Sequence, residues 1–103
     1  MGMIVIQGTI VIDPAKREAA IEAANTMRAA TIVEDGCLGY RFGFATDDPD
    51  LLMVAEQWAS EEALVPHMAS AHMAAFGAAM GEFVAGPADL TRFEVASSGP
   101  LLA

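Results

Sequence analysis

The chain has two histidines, His67 and His72, and a single tryptophan, Trp58, shortly before them. Imidazole titrates near neutrality, so these two residues are the natural candidates for moving a proton at physiological pH. His67 follows Trp58 by less than one short helix and is the better candidate base, with a packed or solvated helical residue as its plainer reading. His72 falls on one helical stripe with Phe76 and Met80, so it faces the same cavity or fills core. Residues five apart on a helix point in different directions and no third ligand stands near them, so no metal site is expected.

Trp58 joins the two histidines as a catalytic candidate, and four further residues, Tyr40, Glu56, Phe76 and Arg92, are candidates for holding a substrate. Trp58 can wall a flat molecule or pack the core, and Phe76 adds a second aromatic surface. The Tyr40 hydroxyl can hold a phenolate, or the ring is an ordinary sheet aromatic. Glu56 lies two residues before Trp58 on the same strand face and would be costly to bury alone. It is expected to bond Arg41, Arg92, a histidine or a backbone amide. Arg92 is thereby the fourth substrate-binding candidate alongside Glu56, Tyr40 and Phe76. Cys37 reads as a small space-filling residue more readily than as a reactive thiol, since no base is placed near it in sequence.

Composition bounds what such a site can serve. The 103 residues make one domain, expected over residues 1–96 with a tail at 97–103, and 54% of them are hydrophobic. Mean hydropathy is +0.41, high for a small body that must expose most of its surface. A second subunit covering one side, or a sizeable apolar cavity, would account for it. Fourteen acids against five bases give a formal net charge of −9. That charge repels phosphate backbones and anionic membranes, so neither nucleic acid nor membrane is an expected partner. A lone cysteine allows no internal disulfide and suits a reducing compartment. The start Met1-Gly-Met-Ile-Val-Ile lacks a basic leader, and no apolar run approaches the ~20 residues that cross a bilayer. A soluble, cytoplasmic protein is expected.

The elements that must position these residues are well punctuated. Met3 to Ile12 alternates but is apolar on both faces, a strand buried on both sides. Gly8 within it marks a bulge or a close approach by a backbone or ligand. Asp13-Pro14 starts a helix running from Ala15 to about Val33, with Ala20, Ala24, Met27 and Thr31 as a narrow inner stripe. Glu34-Asp35-Gly36 ends it. Cys37 to Ala45 is a strand with Leu38, Tyr40, Phe42 and Phe44 on one face. A polar turn joins it as a hairpin to the strand Leu51 to Trp58. Ser60, Glu61 and Glu62 then open a helix that Pro66 is expected to bend or break. Ser70 caps a second segment, Gly86-Pro87 stops it, and Asp89 to Ala96 is a mixed-polarity edge strand. Leu101 and Leu102 in the tail dock on a neighbour or remain loose.

This order predicts an α+β, ferredoxin-like βαββαβ fold with a four-stranded antiparallel sheet whose first and third strands are central. Helices cover one face of such a sheet, so the other is expected to meet a second sheet in a homodimer.

Glu34-Asp-Gly-Cys37-Leu-Gly-Tyr40, Glu56-Gln-Trp58, Ser60-Glu-Glu-Ala-Leu64, His67 and Ser70-Ala-His72 with Phe76 together resemble the antibiotic biosynthesis monooxygenase domain, a dimeric α+β barrel. The resemblance runs from Ile4 to about Val95. It implies an oxygenase that uses no cofactor and acts with O2 on a small aromatic substrate, a quinol or an anthrone-like phenol. The haem-degrading branch of that family resembles a trio of Asn, Trp and His, and here the first strand offers Gln7 and no Asn. Isomerases and lyases of small metabolites share the scaffold, as do domains that only bind.

Overall fold

The structure, a computed structural model, describes residues 2–102; Met1 at the chain's start and Ala103 at the end of the tail lie outside the described residues. Four strands, β1 (Ile4–Ile12), β2 (Cys37–Phe44), β3 (Leu51–Trp58) and β4 (Val84–Glu94), form one antiparallel sheet in the order β2-β3-β1-β4. The helices α1 (Arg17–Thr31), α2 (Glu61–Met68) and α3 (Ala71–Phe83) complete a ferredoxin-like α+β fold. β1 and β3, the most apolar strands, are the central pair.

The core lies between the sheet and the helices. Ile4, Ile10 and Ile12 of β1 and Leu52, Val54 and Trp58 of β3 are buried, because a two-residue period turns alternate side chains toward the helical layer. The expected α1 stripe of Ala20, Ala24, Met27 and Thr31 is buried against them. Asp13 begins this unit as expected: its carboxylate accepts from the Ala15 amide at 2.9 Å. A single 3-10 turn, Pro14–Lys16, precedes the α-helix proper.

β1 is not dry on both sides within one chain. Val5, Thr9 and Val11 are half-buried and Gln7 is exposed, since no helix covers that face. Gly8 serves the approach of a backbone: a Cβ there would lie 1.9 Å from the Asp89 carbonyl oxygen of β4.

Three local expectations are corrected. The chain enters β4 directly from α3 at Val84, so Gly86-Pro87 lies inside the strand, where the β1–β4 register shifts between Ile10 and Ile12. An edge strand tolerates a proline at such an irregularity because no ladder donor is required of it. In β2, Cys37 pairs with Trp58 and Gly39 with Gln57, which leaves Leu38 as an extra residue. That bulge turns Leu38 outward and Cys37 toward the core, the reverse of simple alternation. Finally, α2 continues through Pro66 and ends at Met68. Proline withholds one amide from the last turn of a short helix, and the break comes at Ala69–Ser70, where the Ser70 hydroxyl caps α3 by accepting from the Met73 amide at 3.1 Å.

Candidate functional site

The break after Met68 decides the site. Because His67 ends one helix and His72 begins another, the angular rule for a continuous helix does not apply, and both rings converge on Glu34. His67 Nδ1 lies 2.7 Å and His72 Nε2 2.8 Å from the same oxygen, Glu34 Oε2. These atoms all lie within 4.8 Å of one another. Contrary to expectation, a third potential ligand does stand beside the histidine pair, and it arrives from a distant turn.

That turn is built to hold Glu34 still. The Glu34 amide donates to Thr31 O at 3.0 Å and its carbonyl accepts from Cys37 N at 3.2 Å. Gly36 follows with φ +83°, and its carbonyl accepts from the Ala59 amide at 2.8 Å. A Cβ at Gly36 would sit 2.4 Å from the Ala63 side chain. Only glycine therefore lets the turn close onto α2, which carries His67.

Burial opposes the charge on Glu34, but hydrogen bonds from His67 and His72 and their Coulombic attraction outweigh it and lower its pKa. An ionised carboxylate only accepts. Hence His67 Nδ1 and His72 Nε2 carry the hydrogens, and in a neutral ring the opposite nitrogen of each is left free to accept a proton.

Around this trio the expected aromatic residues assemble. Trp58 packs on His67 with ring centres 4.6 Å apart, and Tyr40 meets it edge-on at 5.7 Å. Phe76 reaches the cluster through Phe42, at 5.3 Å. Trp58, His67 and Tyr40 are 0%, 1% and 3% exposed, so the cluster's interior is packed. Glu56 is bonded by a partner not anticipated, the Trp58 indole, whose Nε1–H donates to Glu56 Oε1 at 3.0 Å. Burial raises the Glu56 pKa against the lowering effects of that bond and of His67. Burial, with Glu56 and other acids adding to it, also pushes the Tyr40 hydroxyl far above the ordinary phenol range. Tyr40 therefore remains a neutral donor. Cys37 is half-buried and burial raises its thiol pKa, which agrees with a space-filling role.

Arg92 does not join this cluster. It lies on the edge strand β4, paired with Glu61 and, at 3.8 Å, with Glu94, and is exposed. Glu34 was not among the site residues expected from the sequence, where it stood as a helix terminator and as the first residue of the family-like Glu34-Asp-Gly-Cys37 stretch. A signal was available: acidic residues at a helix C-terminus oppose the dipole, so Glu34 and Asp35 stand where electrostatics disfavours them.

Open space adjoins the trio on one side. A groove of about 350 Å³ runs between α1 and α3, lined by Ala19, Ala23, Thr26, Ala75, Phe76 and His72. The open sheet face carries a separate hollow of about 540 Å³, bordered by Gln7, Arg41, Met53 and Phe93, that Glu34, His67 and His72 do not line.

Residues 3–79 match the family model described as antibiotic biosynthesis monooxygenase. The chain belongs to the antibiotic biosynthesis monooxygenase family. It is 29% identical over 93 residues to a Bacillus subtilis (strain 168) protein provisionally named monooxygenase YcnE, covering 90% of this chain and 98% of that one. A crystal structure from Caulobacter crescentus CB15, provisionally named for the same family, superposes with TM-score 0.85 at 30% identity, over 93% of this chain and 92% of the other. Rv0793 from Mycobacterium tuberculosis, at 24% identity, shares the fold with TM-score 0.87 over 96% of this chain and 100% of its own. No helix among the described residues is long and apolar enough to cross a membrane.

Proposed function

We propose that this chain is a cofactor-independent monooxygenase that oxidises a quinol- or anthrone-like aromatic with O2, working as a homodimer in a reducing cytoplasm. The observation that carries this reading is His72, on the wall of the α1–α3 groove and tied through Glu34 to the buried His67. A groove of about 350 Å³ is within the range that small-molecule sites occupy, and its alanines, Met27 and Phe76 give a flat ring system apolar walls, with Glu22, Thr26 and His72 as its polar lining.

His72 takes the proton of the phenol or activated methylene, and the charge it gains is balanced by Glu34. The electron-rich anion reduces O2 and forms a carbon-bound hydroperoxide after reprotonation. Removal of the remaining C–H proton breaks the O–O bond, leaving a carbonyl on the substrate and releasing water. One oxygen atom enters product, the other becomes water, and the substrate supplies all four electrons. Phe76 supports the ring in the groove, while Trp58 and Tyr40 hold His67 and keep water from it.

The test is O2 uptake with a reduced naphthoquinol or an anthrone, a chelator present and no flavin added. Uptake is expected to fall by about 10²–10⁴-fold in His72→Ala. No enzyme-dependent uptake across a broad panel, or a variant equal to the parent, would count decisively against the reading. The tight packing about Trp58 favours a second reading, a dimeric module that binds without reacting. A proton-shuttling isomerase or lyase would use the same histidines, and product formed under argon would reveal it.

A further inference from the structure

Among the described residues, Glu34, His67 and His72 bring one carboxylate oxygen and two imidazole nitrogens within 4.8 Å of one another. We propose that they form a binding site for a borderline divalent transition-metal ion, Zn²⁺ being the probe that fits it best.

Two imidazoles and one carboxylate are the ligand set with which proteins hold Zn²⁺ while keeping a fourth position open. In such a tetrahedral site, bonds of about 2.0–2.2 Å separate the donor atoms by somewhat more than the hydrogen bonds of 2.7 and 2.8 Å found here. To admit the ion the Glu34 oxygen draws back from both rings, while the two imidazole nitrogens, up to 4.8 Å apart, come closer together. The three side chains come from a turn, the end of α2 and the start of α3, so they surround a point where ligands from one helix would lie in a row. An ion reaches the site past its two partly open members: the side chains of His72 and Glu34 are 25% and 16% exposed, against 1% for His67.

The nitrogens that would bind the ion are those that now donate to Glu34. Neutral imidazole carries one ring hydrogen, so binding moves it to the opposite nitrogen of each ring and needs no net loss of protons from neutral histidines. The hard ions Mg²⁺ and Ca²⁺ prefer all-oxygen sites and larger ligand numbers. They are excluded by two nitrogen donors.

Binding stands on the geometry alone. Its consequence for catalysis rests on the function proposed above: an ion here occupies the atoms that link His72 to His67, so Zn²⁺ inhibits the reaction.

The metal-free chain is titrated with ZnCl2 against a chromogenic chelator, with no substrate present. One equivalent per chain is expected to bind, Mg²⁺ is expected to leave the signal unchanged, and Co²⁺ to give the absorption of a four-coordinate centre. His72→Ala and Glu34→Gln, whose side chains are partly exposed, should each weaken Zn²⁺ binding by more than about tenfold, the loss that even indirect ligand changes cause. Circular dichroism verifies that each variant is folded. No binding by the parent, or equal binding by parent and both folded variants, overturns the site. Because this readout needs no turnover, it stands or falls separately from the oxygenase assay, in which a failure of catalysis leaves the titration intact.

Discussion

Glu56 illustrates how a single buried carboxylate constrains its surroundings. Its pKa is raised by burial, so the folded chain favours the protonated acid, and stability declines as pH rises from the unfolded carboxylate value, about 4.3, through the folded one. Glu56→Gln keeps an oxygen to accept from the Trp58 indole and removes the charge. We expect it to melt a few degrees higher than the parent at pH 7 and to lose that advantage in acid, in thermal scans across pH 4 to 8. Trp58→Phe makes the opposite error, preserving a ring while stranding the carboxylate. It should cost about 1–3 kcal/mol at neutral pH and less where Glu56 is protonated, as urea titrations at two pH values would register. Neither partner choice was readable from spacing alone. Two-residue periodicity puts Glu56 and Trp58 on one face, but whether an indole or an arginine satisfies the acid depends on which side chains the edge strands keep for themselves, and Arg92 is kept by Glu61.

At the scale of elements, boundaries were legible wherever a local interaction sets them. The Asp13, Ser60 and Ser70 caps all accept the amides expected of them, because a cap is decided within a few residues. Bulges were not legible: the extra Leu38 and the irregularity near Gly86-Pro87 arise from the registers of paired strands, which lie far apart in the chain. The convergence of His67 and His72 likewise depends on where α2 stops, at Met68, two residues past the Pro66 ring. The turn carrying Glu34 offers a sharp test. Gly36→Ala meets both an unfavourable positive φ, at about 1–2 kcal/mol, and the clash with Ala63. Adding Ala63→Gly should recover the steric part and leave the conformational part, so the double variant should be more stable than Gly36→Ala and less stable than the parent in chemical denaturation.

For the molecule as a whole, the apolar excess noted in the composition has a visible destination. The helix-free face of the sheet exposes 47% of Met53 and 44% of Phe93, and no element among the described residues covers them. A second copy packing there is part of the function we propose. Phe93→Arg should then sediment as a monomer at micromolar concentration where the parent sediments as a dimer; solitary parent particles would remove that part of the proposal. The fold was legible from the order of elements because each strand and helix carries its own period, whereas partnership between chains leaves only a surplus of apolar surface as its trace.

The strand order has one more consequence. β4 pairs with β1 alone, so the sheet is completed by joining residues near opposite ends of the chain, whereas β2 and β3 zip from an adjacent turn. On a ribosome the hairpin and α1 emerge early, yet β1 keeps one unpaired edge until Glu94 leaves the tunnel. Closing so long a loop is entropically slow, and during that delay the nascent chain offers an apolar strand to any passing neighbour.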